Sequence, residues 1–244
     1  MANLTDALLE PLLAADRMGP RITYYDDATG ERIELSTVTL ANWAAKTANL
    51  LRDELGAGPG TRVAVLLPPH WQTAAVLLGV WWIGAEVVLS PPPGRFAAAP
   101  EESGPADIAL CTVDRLAEAD DAVAGGEVAV LSLDPFGKPV PDLPIGVTDY
   151  ATAVRVHGDQ IVPERFPGPA LEGRSADEVL AEARELAGSW GLGAGDRVMS
   201  LSPLRVQTLV AVLAAGASLV QVTNPDPALL TRRRESEKVT RTLD

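Results

Sequence analysis

Apolar and polar positions along the chain fall into a pattern that occurs twice. Val179, Ala183, Leu186 and Trp190 form a stripe spaced four, three and four residues apart, the signature of a helix with one buried face. At a constant offset upstream, Ala44, Ala48, Leu51 and Leu55 form the same stripe. A glycine-rich stretch follows each: GAGPGTRVAVLLP from Gly56 to Pro68, and GLGAGDRVMSLSP from Gly191 to Pro203. The match continues through Gly60/Gly195, Arg62/Arg197, Val63/Val198, Leu66/Leu201 and Pro68/Pro203, then Gln72-Thr73/Gln207-Thr208 and Leu78/Leu213. After a gap of three residues it resumes at Gly84-Ala85/Gly216-Ala217 and Val88/Val220.

Each copy predicts amphipathic helix, glycine turn, short strand, proline-containing turn, apolar helix, Gly-Ala and strand. Ser175 with Glu178 predicts a capping box at the start of the second copy. The strand segments VAVLL, VVLS, VMSL and SLVQV are apolar without alternation, as in strands covered on both faces of a parallel sheet. The glycines follow a helix and precede a strand, the reverse of a dinucleotide-binding loop. They are therefore expected to stop helices rather than cradle phosphates.

Between the copies, ADIALCTV predicts a strand ending near Cys111, DRLAEADDAVA a helix and GEVAVLSLD a strand. Pro91-Pro92-Pro93-Gly94 precedes them as a joint, and PFGKPVPDLPIG follows as a boundary near residue 140. The expected organisation is α/β: parallel-rich sheets flanked by helices in two pseudo-symmetric subdomains, residues 1–140 and 141–227, with a charged tail at 228–244.

In order and spacing these segments resemble the first half of the adenylate-forming, AMP-binding enzymes, which include acyl-CoA synthetases. The first subdomain is similar in Arg21-Ile22-Thr23-Tyr24-Tyr25, Leu40-Ala41-Asn42-Trp43, Leu55 through Val65 and Gly84-Ala85-Glu86-Val87-Val88. The start of the second is similar in Gly195-Asp196-Arg197-Val198, Leu201-Ser202-Pro203-Leu204 and Ala215-Gly216-Ala217. The resemblance implies ATP-dependent activation of a carboxylate, with phosphates held by a loop of Ser, Thr and Gly ending in Pro-Lys-Gly. At that place the chain reads Asp149-Tyr150-Ala151 and then Arg155-Val156-His157-Gly158-Asp159-Gln160. One glycine stands there, without the hydroxyl run or the lysine. The histidine that relatives carry after the second Pro-Leu is absent, since Arg205-Val206-Gln207 follows Leu204. Little chain follows Pro225, so the later adenine, ribose and Mg2+ motifs and the catalytic C-terminal domain are expected to be missing.

The resemblance therefore implies a catalytically inactive relative acting as a binding or regulatory module. Two alternatives stay open: a ligase completed by a partner chain, and a structural or self-assembling protein without ligand. No cofactor is expected, with ATP or AMP left open. Arg155, His157, Gly158 and Arg205 are the candidate anion or nucleotide contacts, and no catalytic or metal-ligating residue is named.

Charge narrows the partners. With 20 basic and 33 acidic side chains the net charge is −13, which repels nucleic acid and anionic membranes. TRRRESEKVTR mixes its arginines with glutamates and reads as a solvated helix or frayed tail. The apolar run TAAVLLGVWWIGA is too short to span a membrane, and MANLTDALLEPLLAADRMG lacks the basic start of a signal peptide. With Cys111 as the single cysteine, no internal disulfide forms and a cytoplasmic setting is expected. Two histidines and one cysteine leave no zinc spacing. His70 reads as a helix-start residue and Cys111 as a small buried hydrophobe. Trp81 and Trp82 diverge by about 100° on a helix, so one of them is expected to offer a surface to a protein partner or a second copy.

Overall fold

The computed structural model describes residues 3–89, 104–201 and 205–243. Helix α1 (Leu4–Ala15) leads into the hairpin β1 (Pro20–Asp26) and β2 (Glu31–Ser36), then α2 (Thr37–Asp53), β3 (Arg62–Leu66), α3 (Trp71–Trp82) and β4 (Glu86–Leu89). There follow β5 (Ile108–Cys111), α4 (Leu116–Val123), β6 (Glu127–Val130), β7 (Val147–Asp149) and the short α5 (Tyr150–Ala153), which runs into a 3-10 turn, Val154–Val156. The chain continues through α6 (Ala176–Ser189), β8 (Arg197–Ser200), α7 (Val206–Ala214), β9 (Ser218–Thr223), α8 (Pro227–Ser236) and β10 (Arg241–Leu243).

Two five-stranded sheets result. One has the order β4-β3-β5-β6-β7 and is parallel throughout. The other has the order β10-β8-β9-β1-β2, with only the β1–β2 hairpin antiparallel. Helices α1, α2, α3, α6 and α7 share one core with the facing sides of both sheets. Helix α4 covers the outer side of the all-parallel sheet, so helices and sheets alternate in layers.

The local readings map onto these elements. Ala44, Ala48 and Leu51 are fully buried on α2, and Val179 and Ala183 are buried on α6. Gly56 and Gly191 follow those helices at φ of 69° and 64°, where a side chain would be strained. Ser175 and Glu178 exchange both bonds of the capping box, at 3.3 and 2.8 Å. The segments β3–α3–β4 and β8–α7–β9 each pair adjacent parallel strands across a helix. The Pro91–Gly94 joint and Ser202-Pro203-Leu204 lie outside the described residues.

The sheets do not divide at residue 140. The β1–β2 hairpin, from the first segment, extends the sheet of the second through Ile22↔Leu219 to Asp26↔Thr223, and β7 completes the first sheet from beyond the boundary. Parallel pairing joins strands that local periodicity cannot associate. The charged tail takes the solvated-helix form: α8 is mostly exposed and is held to the β1–β2 turn by Arg233 and Asp27, and β10 beyond it pairs with β8. Of the tryptophan pair, Trp82 keeps part of its surface exposed. Trp81 is buried and donates its indole N–H to the Ala170 carbonyl at 2.7 Å, and half-buried Trp82 donates to the Asp6 carboxylate at 2.6 Å. Helix α1, which the sequence pattern did not predict, supplies Asp6, and Asn3 at its start bonds the carbonyls of Trp81 and Trp82.

Candidate functional site

In the all-parallel sheet, β3 sends its connection to β4 through α3 on one face, and β5 sends its connection to β6 through α4 on the other. The winding direction therefore reverses between β3 and β5. Open α/β sheets bind ligands outside the carboxyl ends of the strands at such a reversal.

A cavity of about 460 Å³ opens at that end of the sheet. Trp71 and Gln72 reach it from the start of α3, Phe136 from the segment after β6, Tyr150 from the start of α5 and Arg155 from the 3-10 turn that follows, while α2 contributes Trp43. Trp43 and Trp71 meet edge to face with centroids 5.4 Å apart. The Tyr150 hydroxyl is 2.7 Å from Thr47 Oγ1, and burial raises the phenol to about 12. Asp134 Oδ1 accepts from the backbone of Phe136 and Lys138 and so holds the 134–138 turn. Gln72 bridges to that turn, donating to the Asp134 carbonyl at 3.3 Å.

Of the residues singled out from sequence, Arg155 belongs to this cavity. Its guanidinium donates to the carbonyls of Gly137 and Phe136 while the side chain stays exposed. His157 and Gly158 continue the same segment but face α2. The His157 carbonyl accepts from Lys46 at 2.5 Å, and Asn49 Nδ2 donates to the carbonyls of Gly158 and Gln160, each at 2.9 Å. The His157 ring lies 2.8 Å from the Glu54 carboxylate. A phosphate cradle needs backbone N–H groups converging on the anion. Here it is carbonyls that converge, and on α2. Arg205 stands in the other unit, immediately before α7, and caps that helix with no side-chain bond.

The aromatic wall was not legible in the sequence. Trp43, Trp71, Phe136 and Tyr150 come from four separate segments, and the available hint was an aromatic at the first turn after a parallel strand. His70 is the N-cap of α3, its Nδ1 accepting from the Gln72 backbone, and burial lowers its imidazole to about 4. Cys111 is buried and its thiol is pushed up to about 11, so it is no nucleophile. Among the described residues no group of three His, Cys, Asp or Glu side chains could hold a metal. No described helix is long and apolar enough to cross a membrane.

The AMP-binding enzyme family model matches residues 14–145. The chain belongs to the AMP-binding enzyme family. A Mycobacterium tuberculosis protein, known by a family designation that states no activity, is 64% identical over 250 residues, covering 99% of this chain and 98% of its own. Among solved structures, acetoacetyl-CoA synthetase from Streptomyces lividans superposes with TM-score 0.76 at 20% identity over 98% of this chain. An acyl-CoA synthetase from Brucella canis gives 0.75 at 18% over 99%, and apo MatB from Rhodopseudomonas palustris 0.72 at 18% over 96%. The chain spans 42% of the Streptomyces protein and 47% of each of the other two. At these identities the solved structures share the family's α/β fold, with parallel sheets flanked by helices.

Proposed function

We propose that this chain is a non-adenylating member of the AMP-binding family that works as a ligand-binding or regulatory module. The observation behind it is the segment after β7. Where the family's resemblance implies a phosphate loop, this chain packs Tyr150, Ala151 and Val154 into the protein and turns the carbonyls of residues 157, 158 and 160 toward Lys46 and Asn49. Binding a nucleotide phosphate there would require breaking those bonds and reversing the peptides. The reading sets the module in the cytoplasm, which suits a lone buried thiol, and away from nucleic acid, which suits the acidic surface.

The test combines two measurements. Melting with millimolar Mg·ATP should leave the midpoint unchanged, because a ligand at a hundred times its Kd would add about 2.7 kcal/mol and move it by roughly 5–10 °C. ATP–pyrophosphate exchange with acetoacetate and a panel of short and long carboxylic acids should stay at background. Exchange with any of them overturns the reading.

A further inference from the structure

The cavity at the carboxyl end of the all-parallel sheet has a wall unlike a nucleotide site. About 460 Å³ is within the range of small-ligand pockets. The wall is mostly apolar and contains four aromatic side chains. The Tyr150 hydroxyl is committed to Thr47, so that residue offers its ring rather than a donor. Among the described residues that line the wall, Arg155 is the one with a charged side chain, in a chain whose net charge is −13. Its guanidinium spends one nitrogen on the Phe136 and Gly137 carbonyls, and a guanidinium carries five N–H donors. Trp71 is only 4% exposed and its buried indole N–H pulls the Glu31 carboxyl down against the larger effect of burial, so Trp71 offers the cavity its ring. The wall thus combines aromatic surface and a cation.

We infer that this cavity binds a small, flat aromatic anion, its ring against Trp43, Trp71 and Phe136 and its anionic group at Arg155. The assignment names a ligand class for the binding module proposed above and rests on that reading. The geometry sets the orientation. Ring faces repel negative charge and ring edges attract it, so the anionic group belongs at the Arg155 end and the apolar body among the rings. One arginine matches one negative charge, and a triphosphate would lack partners for the rest.

Three naphthalenes of one shape test the assignment: naphthalene-2-sulfonate, neutral 2-naphthol and the 2-naphthyltrimethylammonium cation. Each is titrated by calorimetry and by quenching of tryptophan fluorescence. The sulfonate should bind saturably and tightest, and the cation weakest. Arg155→Gln should weaken the sulfonate about five- to tenfold, the scale of one partly exposed charge-assisted contact, and leave naphthol within twofold. Phe136→Ala should weaken the sulfonate and naphthol alike. Both side chains are exposed, and unchanged melting of the variants shows that the fold is kept. No saturable binding up to millimolar concentration, sulfonate affinity unchanged in Arg155→Gln, or preference for the cation would overturn the assignment. Pyrophosphate exchange on the same samples separates the two readings. Exchange activity defeats the non-adenylating reading whatever the naphthalenes do, whereas silence in both assays defeats the ligand class alone.

Discussion

Arg233 on α8 forms a two-point ion pair with Asp27 at the start of the β1–β2 turn, at 2.6 and 3.0 Å, with the side chains 8% and 5% exposed. The same guanidinium lies 4.0 Å from the Tyr25 ring centroid, and the Asp226 backbone N–H reaches Asp27 from the start of α8. Hydrogen bonding from Arg233 holds the Asp27 carboxyl below its ordinary range. Removing one member leaves the other charge buried and alone, which costs more than the pair contributes. Arg233→Met is therefore expected to lower stability by about 3 kcal/mol, with part recovered when Asp27→Asn is added. Urea unfolding followed by circular dichroism measures both; a loss under 1 kcal/mol for the single variant would show that α8 is anchored elsewhere.

Acid should weaken the protein in two overlapping windows. Burial lowers His70 from 6.5 to about 4, so between those values the unfolded chain takes up a proton that the folded one refuses. Stability falls as pH drops through that range, by on the order of 3 kcal/mol. Asn is a good N-cap that does not titrate, so His70→Asn should flatten the profile from pH 6.5 to 4 while leaving stability at pH 8 close to the parent. A slope unchanged in the variant would assign the effect to another group.

Toward the acid end of that range the carboxylates take over. Burial raises Glu237, but hydrogen bonds from Tyr25, Arg197 and Arg32 outweigh it and leave its carboxyl below the ordinary value, as Asp27 also is. Their contribution is complete above the unfolded carboxylate range and disappears as pH falls through the lower folded values. Glu237→Gln should remove part of the stability loss below about pH 5 and none of the loss between about pH 6.5 and 5, measured by urea midpoints at half-unit steps of pH.

Two glycine-to-alanine changes inside helices should act in opposite directions. A Cβ on Gly79 of α3 would lie 2.9 Å from the Ala44 carbonyl and 2.9 Å from Thr47 Cβ, where α2 and α3 approach closely. Gly79→Ala should cost about 1–3 kcal/mol and disturb Thr47, which holds the Tyr150 hydroxyl. A Cβ on Gly188 of α6 meets nothing within 4 Å, so Gly188→Ala should add up to about 0.5–1 kcal/mol through helix propensity. Melting curves of the two variants moving the same way would contradict this packing.

Cys111 should be silent to thiol reagents. With the thiol at about 11 and the side chain fully buried, an aromatic disulfide reagent at pH 8 should release no chromophore from the native protein within minutes. One equivalent should appear in denaturant. Rapid native labelling would mean that the β5 end opens.

Spacing made the short-range structure legible. The stripes on α2 and α6, the glycines that end them and the Ser175–Glu178 box each depend on residues a few positions apart. What spacing could not carry is association across the chain. Asp27 and Arg233 are separated by 206 positions, and nothing near either residue marks the other as its partner. The same holds for the cavity, where Trp43, Trp71 and Tyr150 meet only because two helices and a strand end converge. Arg155 was legible because a family pattern drew attention to its segment. The opposite orientation of the peptides at 157–160 depends on Lys46 and Asn49, in a helix read only for its apolar stripe.

The placement of β1 sets an order of events during synthesis. This strand is made early, yet its parallel partner β9 lies almost two hundred residues later. Until Leu219 through Thr223 have left the ribosome, β1 has only its hairpin partner and its other edge stays unsatisfied. Loops that long close slowly, and an unpaired apolar edge invites pairing with other chains. The nascent chain should therefore be most aggregation-prone just before β9 emerges, and this is the interval in which it most needs a chaperone.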